Sequence, residues 1–466
     1  MPKITIVGAG GYVFPTRLAV DILSFPELRE CTLHLYDINP RTLAQTRARV
    51  ARIVEKNFLP TRLESGTNRR KALDGADYVI VAFQVGGIPA YTHDVEIPRR
   101  YGLDQCVGDT LGPGGVFRGL RSIGALRGIA ADMKEVAPGA LLIQYANPMA
   151  MNCLATSLLG IKTVGLCHSV QGTSRMLANQ LGLPYEEITY TCGGINHQAW
   201  FTEFRHQGQD VYPRLREVMN AKCPSPVGVN AKTGKPATRF DQRGLDHKIT
   251  DDIYYYESVR SELMRSFGYF HTESSHHASE YVPWFRKNPR IVKSYLPWRW
   301  DYYQISRSYR SAKHQGYLKD LVEKPLALSE EYGARIIHAM ETGSKAVIYG
   351  NVPNWGAPGA RPEGARGHHI TNLPQLSCVE LACLVDRNGV QPTAFGDLPL
   401  QCAAINRLNI NVQELAVQAA LTGERSLAYQ AVALDPLTGA LLTLPQIRKM
   451  TDELFRAEAR WLPTFK

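Results

Sequence analysis

Lys3 to Val7 (KITIV) runs directly into Gly8-Ala9-Gly10-Gly11, and the residues beyond that turn read as a helix. A β-branched run that ends in glycines and opens a helix is the start of a βαβ unit, which commits the chain to a parallel sheet. The same alternation continues: Thr32 to Tyr36, Tyr78 to Ala82, Leu141 to Tyr145 and Thr163 to Leu166 read as strands with longer helical stretches between them. The pattern predicts an α/β fold with an N-terminal Rossmann-like parallel sheet over residues 1–195. Over residues 196–466 the periodicity becomes mixed, which predicts a C-terminal α+β domain. There, residues 355–370 are rich in Gly, Pro and Arg and read as a loop, and residues 400–460 read as continuous helix with a break at Asp435-Pro436.

Length and composition narrow the function classes. A chain of 466 residues suits one large α/β domain or two intimately joined ones. The formal charge of +10 is spread along the chain with no nucleic-acid motif beside it, so a nucleic-acid partner is not expected. No apolar run is long enough to span a membrane, and the N-terminus enters a strand without a signal-peptide pattern, so a cytoplasmic location is expected. The nine cysteines are odd in number and unpaired in spacing, which fits buried thiols in a reducing compartment better than a disulfide or zinc framework.

Gly8, Gly10 and Gly11 stand where bare backbone lets a pyrophosphate approach a helix N-terminus. The third glycine of the full fingerprint is replaced by Val13. Asp37 ends the second strand and is placed to accept hydrogen bonds from ribose hydroxyls, where its charge would repel a 2′-phosphate and favour NAD over NADP. A glycine turn in a nucleotide-free α/β protein fits the same residues. Gln84, Gly86 and Asn147 lie in later strand-end loops, where a cofactor would cross the sheet's carboxyl edge.

Cys167 and His197 each follow a predicted strand. A thiolate and an imidazole at strand ends could share a divalent metal with open positions, but by spacing alone a packed thiol and a hydrogen-bonded core histidine fit better. His276 and His277 are adjacent. On an extended strand their side chains would point to opposite faces, so one at most would reach a given site.

The phrases KITIVGAGG, GDTLGPGGVFRGLR, YANPMAMN, GLCHSVQGT, GINHQAWF, GYFHTESSHHASEYVPWF and NLPQLSCVELACLVDRNGVQP, in this order, resemble glycoside hydrolase family 4 over essentially the whole chain. The resemblance implies a lactate/malate dehydrogenase-like architecture and a glycosidase that requires NAD and usually manganese. Its metal ligands map onto Cys167 and His197. CHSV at 167–170 is similar to the α-galactosidase branch, whereas phospho-sugar branches carry Asn or Asp where His168 stands; an unphosphorylated α-galactoside or a related glycoside is implied. The family does not use two flanking carboxylates. The implied route is hydride removal from C3 by NAD⁺, removal of the C2 proton with metal assistance, loss of the aglycone, water addition and return of the hydride.

On this resemblance Asn147 contacts substrate near the nicotinamide and His168 protonates the leaving group, where a group orienting the metal ligand is the other role open to it. Tyr256 and Glu257 are candidates for the C2 base. Asp109 would bind sugar hydroxyls or cap its turn, and Arg260 would face the sugar or a neighbouring carboxylate. A homo-oligomer, dimer or tetramer, is expected. Two other readings share the fold: an NAD-dependent sugar or hydroxy-acid dehydrogenase, and a non-catalytic sugar- or redox-sensing binding protein.

Overall fold

In the computed structural model, residues 1–223, 257–296, 301–307, 312–364 and 367–466 are described. Six strands form the parallel part of one sheet: β1 (Lys3–Val7), β2 (Thr32–Tyr36), β3 (Arg62–Gly66), β4 (Tyr78–Val81), β5 (Leu141–Gln144) and β6 (Thr163–Leu166). Their order is 3-2-1-4-5-6, all parallel, which is the dinucleotide-binding arrangement with its topological switch between β1 and β4. The five strands expected from the sequence are present. β3 (RLESG) was not expected: as an edge strand it keeps four of five residues partly accessible and carries no apolar run to betray it.

The sheet does not stop at β6. The remaining strands are β7 (Ile188–Ile195), β8 (Gln198–His206), β9 (Gln209–Asp210), β10 (Phe270–His271), β11 (Ala346–Pro353), β12 (Cys378–Asp386) and β13 (Gly389–Pro392). β11 joins β6 antiparallel through Gly165↔Asn351 and Leu166↔Gly350, and the order continues β11-β12-β7-β8-β10. Gly165, Asn351, Glu380 and Gly194 are successive partners across β6, β11, β12 and β7. The expected boundary at 195/196 falls in the tight turn between β7 and β8.

Burial follows the pattern that predicted the strands. β2, β4, β5 and β6 are buried throughout, as a parallel sheet covered by helices on both faces requires. One large core extends from Ile4 and Ile6 of β1 to Val379 and Leu381 of β12 and on to Met450 and Leu454 near the C-terminus.

Two expectations need correction. The C-terminal helix is not continuous with a single break: it divides into Leu400–Thr422, Arg425–Leu434, Pro436–Leu441 and Leu444–Glu458. Besides the expected stop at Asp435, Gly423 ends the first helix in the left-handed region (φ 77°) and Thr443 with Gln446 forms a capping box for the last. The histidine pair is also not extended. Ser275–Ala278 is a short helix whose N-cap, Ser274, accepts from the His277 N–H, so the alternating-face argument does not hold there.

Candidate active site

The turn after β1 is built on contacts that tolerate no side chain. Gly8 has φ +91°, and a Cβ on it would lie 2.5 Å from the Ala82 carbonyl oxygen; one on Gly10 would lie 2.4 Å from Thr42 Oγ1 and 2.7 Å from Asp37 Cγ. The N–H groups of Gly8 and Ala9 both donate to the Tyr36 carbonyl, and Gly11 N–H donates to Gly8 O. The helix Phe14–Ser24 starts three residues later. Asp37 Oδ2 accepts from Gly10 N–H at 2.8 Å and Oδ1 from Asn39 N–H at 2.8 Å, so the carboxylate stands at the mouth of the turn, partly accessible. These residues form a cradle of the shape and polarity a dinucleotide requires.

Gln84 and Gly86 lie in the loop after β4. Gly86, with φ +80°, is the N-cap of the helix Gly87–Arg100, and Gln84 donates to the Gly87 carbonyl. Arg121 Nε donates to Val85 O and fixes the same loop from below. Asn147 follows β5, at the cis peptide with Pro148. Its Nδ2 donates to Asp109 Oδ2 at 3.3 Å and its carbonyl accepts from Arg118 Nε.

Asp109 is the centre of a buried network. Arg118 pairs with its Oδ2 at 3.3 Å, Thr110 Oγ1 donates to its Oδ1 at 2.8 Å, and Thr110 Oγ1 lies 3.4 Å from His277 Nε2. His277 Nε2 is in turn 3.0 Å from His197 Nδ1, which also lies 3.2 Å from the Tyr281 hydroxyl. Thus three residues singled out separately in the sequence, Asn147, Asp109 and His197, are joined by side-chain contacts. His197 is buried and held at φ 63°, an uncommon conformation for a non-glycine residue and one that marks functional turns.

Cys167 and His168 follow β6. All nine cysteines are free; eight are buried and Cys167 is partly accessible. Desolvation raises its thiol to about 12, with the charge of Glu380 adding to the effect. His168 Nδ1 lies 3.2 Å from Glu331 Oε1, and that hydrogen bond raises the imidazole to about 9; with 62% of the side chain exposed, solvent screens part of the pull.

Glu380 on β12 links the two predicted metal ligands electrostatically. It is fully buried; Oε1 accepts from Asn351 Nδ2 at 3.1 Å, and the Asn196 side chain also favours its ionised form. Burial raises its carboxyl to about 7, opposed by His197 and by those two amides. Among the described residues no group of three His, Cys, Asp or Glu side chains is disposed to hold a metal. A cation at Cys167 and His197 would therefore complete its shell with water or substrate oxygens, as an open catalytic site does.

Glu257 and Arg260 are brought together with each other. Glu257 Oε2 accepts from Arg260 Nε at 2.6 Å and from the N–H and hydroxyl of Ser275, while Arg260 Nη1 donates to Thr173 Oγ1 and His271 O. Both are fully buried, and burial raises the Glu257 carboxyl. Arg260 thus faces the neighbouring carboxylate. Tyr256 lies outside the described residues.

Sequence reasoning passed over Glu280, Tyr281, Glu331 and Glu380. The signal for Glu280 was present: His277 and Glu280 are spaced i, i+3, which meet on one face of a helical turn but not on a strand. Glu331 and Glu380 are remote in sequence from His168 and Cys167, and only the tertiary fold brings them near.

A family model described as family 4 glycosyl hydrolase matches residues 3–183, and one for the family's C-terminal domain matches residues 192–438. The chain is 39% identical to an α-galactosidase of Rhizobium meliloti (strain 1021), over 99% of this chain and 89% of that protein. It is 38% identical to an α-galactosidase of Bacillus subtilis (strain 168), over the full length of both. Among solved structures, a 6-phospho-α-glucosidase from gut microorganisms in complex with NAD and Mn²⁺ superposes with a TM-score of 0.76 at 19% identity, covering 100% of each chain. With both halves matched in order, and the glycine cradle and the Cys167 and His197 positions set along one sheet, the chain belongs to family 4 of the glycosyl hydrolases.

Proposed function

We propose that this glycosidase is an NAD- and manganese-dependent α-galactosidase acting on unphosphorylated substrates. The observation that carries the reading is the network from Asn147 through Asp109 and Thr110 to His277 and His197, which ties the loop after β5 to the turn after β7. The two α-galactosidase relatives and the NAD and Mn²⁺ bound to the structural neighbour support it. When bound, NAD⁺ would accept hydride from C3 and the metal would act as a Lewis acid on the sugar oxygens, which makes the C2 proton removable.

The chain's own residues take the remaining tasks. Gly8, Gly10 and Gly11 admit the pyrophosphate, Asp37 receives the ribose hydroxyls, and Gln84 and Gly86 line the path to the nicotinamide. Ile38, 84% exposed directly after Asp37, offers an apolar shelf to the adenine. Cys167 and His197 hold the metal; Asn147 and Asp109 orient sugar hydroxyls. His168, kept protonated by Glu331 and open to solvent, is placed to give a proton to the leaving oxygen. For the C2 base, the fully buried Glu257 would have to leave its pair with Arg260, which favours Tyr256. Nine free cysteines fit a reducing, cytoplasmic setting.

Turnover of a nitrophenyl α-galactoside in D₂O tests the reading. Activity should require NAD⁺ and Mn²⁺ together and should place deuterium at C2 of the released galactose without accumulation of NADH. Full activity after chelation and cofactor stripping, or a strong preference for a 6-phosphoglycoside, overturns it. Steady build-up of NADH would favour the dehydrogenase instead.

A further inference from the structure

Glu280 is bound to two parts of the site at once. Its Oε1 accepts from the backbone N–H groups of Cys106 (2.5 Å) and Val107 (2.8 Å), and its Oε2 from Gly108 N–H (3.0 Å). The same Oε2 lies 3.3 Å from His277 Nδ1. Three successive backbone donors enclose an anion, and a carboxylate so placed has only acceptor capacity.

That fixes the direction of each hydrogen bond beyond it. His277 Nδ1 must carry the proton it gives to Glu280, so in the neutral ring Nε2 is an acceptor. The donor to Nε2 is His197 Nδ1 at 3.0 Å, because the Thr110 hydroxyl, 3.4 Å away, already gives its hydrogen to Asp109 Oδ1; the Tyr281 oxygen, 3.2 Å from that same protonated Nδ1, is then a second acceptor. With Nδ1 protonated, His197 presents the lone pair of Nε2. This is the tautomer a metal needs.

We propose that Glu280, acting through His277, is a positioning residue that fixes the tautomer of His197 for metal binding and holds the 106–108 backbone from which Asp109 projects. The inference rests on the assignment of His197 as a metal ligand made above. It makes the ligand's orientation and the sugar-binding carboxylate depend on one buried anion.

The test is Mn²⁺ affinity of the full-length, NAD⁺-loaded chain, followed by loss of the free-Mn²⁺ resonance signal, with NAD⁺ affinity and thermal unfolding measured on the same samples. Glu280→Gln replaces an acceptor by a donor and reverses the chain of hydrogen bonds; His277→Phe removes the acceptor for His197. Both should weaken Mn²⁺ binding by about tenfold to a hundredfold with NAD⁺ affinity unchanged. His277→Gln, whose amide oxygen can stand where Nε2 stood, should bind Mn²⁺ close to the wild type. Unchanged Mn²⁺ affinity in Glu280→Gln and His277→Phe overturns the proposal. Should Glu280→Gln not fold, the two His277 variants decide, and equal losses in both overturn it. A wild-type chain that binds no Mn²⁺ overturns the metal assignment itself, and this inference with it.

Discussion

His168 Nδ1 lies 3.2 Å from Glu331 Oε1, so the candidate leaving-group acid is paired with a carboxylate 163 residues away in the chain. The pairing favours the imidazolium and raises its pKa to about 9. If the protonated form is the active one, activity is present below that value and lost as pH rises through it. With an alkyl galactoside, whose leaving group needs a proton, the alkaline limb of kcat/KM should fall near pH 9. In Glu331→Gln it should move toward the ordinary histidine value of about 6.5. A limb that stays in place in the variant removes His168 from that role.

Cys167→Ser should lose Mn²⁺ affinity and activity together, because a hydroxyl is a far weaker ligand than a thiolate. Cys31→Ser is the comparison, since that buried thiol directly precedes β2, four strands from β6 in the sheet order. Metal content after gel filtration distinguishes the two; full metal occupancy in Cys167→Ser would reassign the ligand.

Asp37→Ser should weaken NAD⁺ binding by about tenfold, equivalent to about 1.4 kcal/mol, and reduce the discrimination against NADP⁺. Two effects act together: the ribose loses an anionic acceptor, and Gly10 N–H loses the oxygen that orders the turn. Titration of both cofactors by protein fluorescence measures this. Unaltered preference between them would place the ribose elsewhere.

Arg121 is fully buried between Asp94, which it meets through two nitrogens at 2.9 and 2.7 Å, and Glu458. Arg121→Met would leave two carboxylates in the core without a cation and should cost about 3–5 kcal/mol of stability. That is a large share of the roughly 5–15 kcal/mol that holds a domain folded. Denaturant unfolding reports it; a loss of under about 1 kcal/mol would mean that the three helices carrying these residues pack without needing the charge.

The parallel half of the fold was legible, its edge strand β3 apart, because its central strands are buried on both faces and read as short apolar runs, as in Tyr78–Val81 and residues 141–143. The antiparallel continuation was not. β11 and β12 begin about 180 and about 210 residues after β6, and their place beside it depends on pairings such as Gly165↔Asn351 that leave no local pattern. The placing of Gly8, Gly10, Asp37 and Asn147 directly after β1, β2 and β5 was readable from the strand pattern. The helix Ser275–Ala278 was not, since four residues are too few to show a period of 3.6, and with it the relation of His277 to Glu280 was lost.

The distribution of thiols gives the protein a built-in count of its own integrity. Eight of the nine cysteines are sealed in the interior and one is within reach of solvent. A maleimide or disulfide reagent should therefore find at most one address on the folded chain, slow to react because burial raises that thiol to about 12, and nine fast ones once the chain opens. Stoichiometry of labelling, read by intact mass, would separate molecules blocked at the site from molecules that have come apart, with no chromophore or substrate added.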